Sequence, residues 1–587
     1  MPLRSTTFAL ALASLALFGA CRSNADRAAE VRERVRNEVP DVADAALAAL
    51  TTLEVEELAR HIPERAATRT AAVGERASED GRITSFVAER SGDIDVVQGE
   101  TTDDLISIAV TVPYTASWTS EAAGEIVHLE GEFDIGYRVP TDDHEGEGEW
   151  QVGLGPSSLF PGIDGARGFS VEFDWPKRGA IVDRDGRKIA VGDADNRRYP
   201  FGTLAGTMVG HIGALSKQDI KQGATGEVGD LVGASGLEEA FQERLAGLPS
   251  SELHVVDRRG DVLTTVGEIE GTPAEKVKVT LDMELQRRAE AAYSGIGGAV
   301  VIRPKTGDIL AAVDSSTFDP NNYVGAESVE PFNRALSGGY PPGSSMKVVT
   351  AAAALDTGTV KPSTTVTGPK EYQGVRNFES GEFGSIPFAT AVKFSVNTAF
   401  AQVALDLGSK KLTRYAEGFG FNSEPQMPLE ARTSSFPRPT DAGDLMWSSV
   451  GQAQVLATPL QMASVAATIA NDGRRMEPRI DMSEPKRGER VVSRKTAREL
   501  AAMMQAAVEG GTGVNARISG VAVAGKTGTA EVDVGGERRN HAWFVCFAPV
   551  GDARVAVAVV SEYGGIGGQV AAPMARSILV GALPLAP

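Results

Sequence analysis

The chain has 587 residues, 42% of them hydrophobic and 23% charged, with a formal net charge of −20. That length predicts about three to four domains, the balance of apolar and charged residues excludes a disordered chain, and the acidity argues against nucleic acid or direct attachment to anionic lipid. The two cysteines are Cys21 and Cys546, and the six histidines show no metal-ligand spacing with acidic or sulfur partners, so neither a metal nor a cofactor is expected.

In chain order, Arg4 precedes a small and apolar run, 5–20, that stops at Cys21. The run is short for a membrane span and has the make-up of an export signal. Leu17-Phe18-Gly19-Ala20-Cys21 resembles a bacterial lipobox, with Phe18 where that pattern prefers Leu. A lipoprotein-type signal over 1–21 with lipid attachment at Cys21 is the favoured reading. An uncleaved signal anchor and simple secretion are the alternatives. All three export the chain, and either anchor holds it at the outer face of the bacterial cytoplasmic membrane.

Residues 27–162 read as a separate α+β unit. Ala46, Leu47, Leu50 and Leu53 have helical spacing after Pro40, within 41–62. Strand-like runs follow at 83–88, 105–114, 125–139 and 150–154. No titratable residues cluster there, so a stalk is expected rather than a ligand pocket. Residues 165–284 form a second segment and 285–587 a third. In the third, strands are predicted at 298–304, 308–314, 520–532, 541–549 and 553–562 around a helical middle. Its ends and middle therefore have to fold together.

The helical middle carries the chemistry. Tyr340-Pro341-Pro342-Gly343 cannot continue a helix, whereas 344–355 can, so a buried helix is predicted to start at Ser344. Positions i and i+3 share a face, which brings the Lys347 amine beside the Ser344 hydroxyl. A serine at a helix start also suits a plain cap. Two further motifs favour chemistry: Ser395-Val396-Asn397 at a predicted break between helices, and Lys526-Thr527-Gly528 on a predicted strand. S-x-x-K, a Ser-x-Asn triplet and K-T-G form one known serine-acyltransferase set. A serine hydroxyl needs a base, and Lys347 can be that base only if desolvation and a neighbouring cation, Lys526, keep it neutral. Ser395 is expected to relay the proton and Asn397 to hold both the substrate amide and Lys347. The Ser344 and Thr529 N–H groups would form an oxyanion hole. Thr527, Thr529 and Lys526 would bind a carboxylate, with Gly528 letting a peptide lie close along the strand. Ser483-Glu484-Pro485-Lys486 and Lys305-Thr306-Gly307 repeat two of the patterns, but they read as a loop and a hairpin turn.

From about residue 165 to its end the chain resembles the class B penicillin-binding proteins. The resemblance rests on these motifs and on 177–186, 232–238, 280–286, Gly451-Gln452, 458–463 and 541–545. It implies a pedestal or dimerisation domain at 165–284, with Gly236-Leu237-Glu238 packing against the catalytic domain. It also implies a penicillin-binding, serine β-lactamase-like transpeptidase domain at 285–587, acting as a D,D-transpeptidase on peptidoglycan stem peptides and acylated by β-lactams. A partner glycosyltransferase would supply the strands. Trp150-Gln151-Val152 with 156–161 resembles the end of the nuclear-transport-factor-like domain of methicillin-resistance type members. The competing readings are a D,D-carboxypeptidase, a β-lactamase, which the absent Glu-x-x-Leu-Asn signature between Asn397 and Lys526 disfavours, and a non-catalytic sensor or scaffold.

Overall fold

The computed structural model describes residues 23–585 apart from 125, 142–147, 225–227 and 324–331. The signal segment and Cys21 lie outside the described residues. Within those described, no helix is long and apolar enough to cross a membrane. The chain forms two compact units: residues up to Trp175 together with Pro249–Thr272, and Pro176–Leu248 together with Pro273–Pro587.

The first unit opens with a 29-residue helix, Asn24–Thr52, started by a Ser23 capping box with Asp26 and ended by Leu53 in the left-handed region. The helix was expected only after Pro40, yet it runs through that proline. An interior proline costs a helix about 3 kcal/mol. Val35, Val39, Ala43, Ala46, Leu47 and Leu50 are buried on either side of it, and their packing outweighs the lost bond. Shorter helices, Val55–Leu58 and Glu64–Asp80, follow. A five-stranded antiparallel sheet comes next, with Leu105–Ser120 pairing Ile83–Arg90, Ile126–Pro140 and Asp95–Thr101. Alternate residues of Leu105–Ser120 are buried, from Ile106 through Trp118, as one covered face requires. Asp95–Thr101 is a strand without strand composition, since Asp95, Gln98, Gly99 and Glu100 are residue types depleted in sheets or neutral there. Trp118 packs with Phe86, Phe160 and Phe169 and donates to the Leu159 carbonyl at 2.9 Å.

The segment expected at 165–284 is shared between the two units. Ser250–Val256 pairs with Gly168–Asp174 on one side and Val262–Ile269 on the other. This puts Leu253 and Val255 into the core that holds Trp118. The remainder of the segment belongs to the second unit. There Glu238 is wholly buried and accepts from Arg178 at 2.8 Å and Arg197 at 2.7 Å. Leu237 shares a core with the catalytic helices, as expected of that tripeptide, but Glu238, in the short helix Gly236–Ala240, ties together the coil segments that carry Arg178 and Arg197 instead.

The second unit is built on the antiparallel sheet order Ile309–Asp314, Gly297–Ile302, Val555–Ser561, Glu537–Ala548, Ala524–Val534. All five predicted strands are present; the one expected from 520 begins at Ala524, because Gly520 turns the chain at φ +75°. Both faces of this sheet are covered, so its central strands read as continuous apolar runs. Val300, Ala558 and Val545 face the core shared with Lys347–Asp356 and Pro459–Ala470. Val301, Val557 and Cys546 face the core shared with Met283–Ala292 and Ala571–Ala582. Cys546 is a small core hydrophobe, its thiol pushed up by burial. Lys305-Thr306-Gly307 is the turn between the first two strands, with the Thr306 and Gly307 N–H groups donating to the Arg303 carbonyl.

Candidate active site

The turn that carries Ser344 is set by its neighbours. Gly343–Met346 forms a 3-10 turn, and the α-helix begins only at Lys347. This corrects the expected start at Ser344, and no side-chain cap closes that end. In a 3-10 turn residues i and i+3 eclipse, so Ser344 and Lys347 share one edge. Tyr340 exchanges backbone hydrogen bonds with Ala457, at 3.0 and 2.8 Å, and Gly343 N–H donates to the Gly451 carbonyl at 2.9 Å. Trp543 Nε1 donates to the Pro341 carbonyl at 3.0 Å. Gly451 sits at φ +75°, and a Cβ there would lie 2.1 Å from the Gly343 oxygen.

Opposite the turn, Phe388–Lys393 and Asn397–Leu407 are separate helices, as predicted, with Ser395 at φ +58° between them. A non-glycine residue in that region costs energy and marks sites where the surroundings hold it. Here the holders are two lysines. Lys347 Nζ donates to the Ser395 carbonyl at 2.8 Å, to Ser395 Oγ at 3.2 Å and to Asn397 Oδ1 at 2.5 Å. Lys526 Nζ donates to Ser395 Oγ at 2.8 Å and to the Thr527 carbonyl at 2.8 Å. Among the described residues, the Lys347 amine makes no direct hydrogen bond to the Ser344 hydroxyl. Asn397 Nδ2 donates to the Arg376 carbonyl at 2.7 Å, which fixes its amide with the oxygen toward Lys347.

Both lysines are buried, at 1% exposure each, and no carboxylate accepts from either amine among the described residues. Burial, then the nearby Lys526 charge, holds the Lys347 amine well below its ordinary range. Burial alone pushes Lys526 down to about 7. Burial lowers both amines, so each gives up its proton more readily than an exposed lysine would.

The third motif lies on Ala524–Val534, an edge strand whose one paired strand among the described residues is Glu537–Ala548. A Cβ on Gly528 would meet Ser345 Oγ at 2.4 Å and the Pro342 oxygen at 2.8 Å, so only glycine lets this strand close against the Ser344 turn. Thr527 is 7% exposed and its hydroxyl lies 2.8 Å from that of Thr512. Thr529 Oγ1 accepts from Gly567 N–H at 3.3 Å. The structure thus gathers Ser344, Lys347, Ser395, Asn397, Lys526, Thr527, Gly528 and Thr529. The decoy Ser483–Lys486 is loop, with Ser483 donating to Asp481. Supporting residues went unread as such: Gly451 and Trp543 lie in noted segments, but Asn377, which accepts from Thr398 N–H at 3.1 Å, and Thr512 gave no sequence signal.

The penicillin binding protein transpeptidase domain model matches residues 297–580, and the penicillin-binding protein dimerisation domain model matches 187–279. Peptidoglycan D,D-transpeptidase PbpA of Mycolicibacterium smegmatis is 37% identical over 358 residues, covering 52% of this chain and 72% of that one. Peptidoglycan D,D-transpeptidase MrdA of Escherichia coli K12 is 28% identical over 450 residues, 65% of this chain and 70% of that one. Among solved structures, Pseudomonas aeruginosa PBP2 in complex with WCK 5153 aligns with TM-score 0.61 at 28% identity, covering 70% of this chain and 96% of that one. PBPA from Mycobacterium tuberculosis aligns with TM-score 0.57 at 29% identity, covering 69% and 98%. A dimerisation region followed by a transpeptidase domain, both matched in order, together with these relatives, places the chain in the class B penicillin-binding protein family.

Proposed function

We propose that the protein is a peptidoglycan D,D-transpeptidase whose acyl-enzyme forms on Ser344, and that β-lactams acylate the same serine. The observation that carries this reading is the convergence of two buried lysines on Ser395 beside the Ser344 turn. Lys347, neutral because it is buried next to Lys526, takes the Ser344 proton as Oγ attacks the substrate carbonyl. Negative charge gathers on that carbonyl oxygen, facing the Ser344 and Thr529 N–H groups. The proton passes through Ser395 to the leaving amine, and the C–N bond breaks to give the acyl-serine and the released terminal residue. Asn397 holds the substrate amide and Lys347, while Lys526, Thr527 and Thr529 take the terminal carboxylate, with Gly528 keeping the strand close. An acceptor amine from a second stem peptide then attacks the ester by the reverse steps and frees Ser344.

The chain starting after Cys21, incubated with a labelled penicillin, should give a stable adduct on Ser344, read by intact mass and peptide mapping. An adduct that vanishes within seconds would make the protein a hydrolase, and no adduct would point to a guarded site or a scaffold. Aminated product from a stem-peptide analogue and an acceptor amine separates transpeptidase from carboxypeptidase, which yields only the acid.

The same reading gives a signal at 1–21, an N-terminal domain at 27–162 joined by the strands Gly168–Asp174, Ser250–Val256 and Val262–Ile269, a pedestal in the rest of 165–284 and a catalytic domain at 285–587. The N-terminal helices followed by an antiparallel sheet support a nuclear-transport-factor-like stalk of methicillin-resistance type. That stalk would lift the site from a membrane held through Cys21, near a glycosyltransferase partner.

Gly451→Ala should slow acylation by about 10- to 100-fold, because an added methyl displaces the Gly343 carbonyl and with it the Ser344 turn. The measurement is the second-order acylation rate. A rate within twofold of the parent would show that the turn does not depend on this contact.

A further inference from the structure

The two strand hydroxyls of the third motif are each engaged from outside the strand. Thr529 Oγ1 accepts from Gly567 N–H at 3.3 Å. A backbone N–H can only donate, so the Thr529 proton is left free to point elsewhere. Thr527 Oγ1 faces Thr512 Oγ1 at 2.8 Å, where either oxygen could donate. A hydroxyl has one proton and two acceptor sites. If Thr527 donates to Thr512 it has no proton for an anion. If Thr512 donates to Thr527, both strand hydroxyls become donors.

Thr512 is built in rather than adventitious. Its N–H donates to the Lys393 carbonyl at 3.4 Å, two residues before Ser395. On its other side, a Cβ on Gly568 would lie 2.5 Å from the Thr512 carbonyl oxygen and 3.5 Å from Thr527 Cγ2. Asn515 Nδ2 donates to the Gly568 carbonyl at 2.8 Å and fastens the two loops together. The backbone of Thr512 is thus clamped between the helix end that leads to Ser395 and the loop that follows the sheet. Its hydroxyl has little freedom except rotation.

We propose that Thr512 is a positioning residue that selects anionic ligands: its hydroxyl donates to Thr527 so that Thr527 and Thr529 both present protons to a carboxylate. Aligned hydroxyls polarise one another, so the Thr512 bond strengthens more when an anion is bound than with a neutral acceptor. The inference rests on the reading that Ser344 is acylated.

The test compares the full chain with Thr512→Val and Thr512→Ser, using benzylpenicillin and its methyl ester as probes. Valine keeps the shape and removes the donor, and serine keeps the donor. In Thr512→Val the acylation rate with the acid should fall about five- to tenfold, the worth of one hydrogen bond to a group carrying charge through a neighbour. The loss should appear in the concentration giving half-maximal rate, not in the limiting rate. The rate with the ester should change less than about twofold, and Thr512→Ser should restore the acid rate. Equal losses with acid and ester would mean a merely structural role, and unchanged acid acylation would mean no role; either overturns the proposal. A parent chain that forms no adduct with either probe overturns the Ser344 reading first and takes this proposal down with it, an outcome visible before any variant is made.

Discussion

Ser344→Ala is expected to abolish covalent labelling by penicillin while the thermal unfolding midpoint stays within about 2 °C of the parent. Ser344 is half-buried, supplies no helix cap and has no hydrogen-bonded side-chain partner among the described residues, so its removal strands nothing. The backbone N–H at 344 remains, and with it the proposed oxyanion donor. A mass adduct in the variant, at any serine or lysine of the site, would sink the assignment of the nucleophile.

The second large effect is expected at Lys347. Lys347→Ala should lower acylation by roughly 10²- to 10⁴-fold, the range for loss of a general base, with Ser344 still present. Asn397 Oδ1 and the Ser395 carbonyl would lose their donor, so Lys347→Met, which fills the same space, separates lost chemistry from lost packing. Both should show the same loss. Near-normal acylation in either would mean that another group deprotonates Ser344.

The acid–base behaviour follows from the same pair. Lys347 acts only when neutral, so acylation should rise with pH as it loses its proton, and that limb lies well below the ordinary lysine range of 10.5 because burial and Lys526 depress it. Lys526 in the unliganded site loses its charge near 7, which should produce a falling limb above neutrality. Lys526→Ala removes the cation that holds Lys347 down, so the rising limb should shift to higher pH and the falling limb should vanish. An unmoved rising limb would show that burial alone sets Lys347. For stability the sign is the reverse of a salt-bridged lysine. Folding depresses the pKa, the unfolded chain binds the extra proton between about 7 and 10.5, and stability should therefore rise with pH across that window.

The motifs were legible because their chemistry is local in sequence. Ser344 and Lys347 are one turn apart, Ser395-Val396-Asn397 lies between two helix-compatible runs, and the strands 297–302 and 309–314 show as apolar runs joined by a turn. The limits of that reading are equally physical. A proline normally ends a helix, and only the burial of Val39, Ala43 and Leu47 against a distant sheet carries the first helix through Pro40. The return of Ser250–Val256 to the first unit is a pairing with residues some eighty positions away, and no local pattern records it.

The sequence by itself determined which groups are candidates for the chemistry, since a hydroxyl, two amines, a second serine, an asparagine amide and a glycine-bearing strand are residue types at fixed spacings. Tertiary structure alone decided their state. It buried Lys347 and Lys526 with no carboxylate accepting from either amine among the described residues, brought Ser395 between them from 48 and 131 residues off, and opened the Ser344 helix as a 3-10 turn against Gly451 and Gly528. Desolvation and charge proximity depend on what surrounds a group in space, and a proton's preferred site is set by those surroundings rather than by its neighbours along the chain.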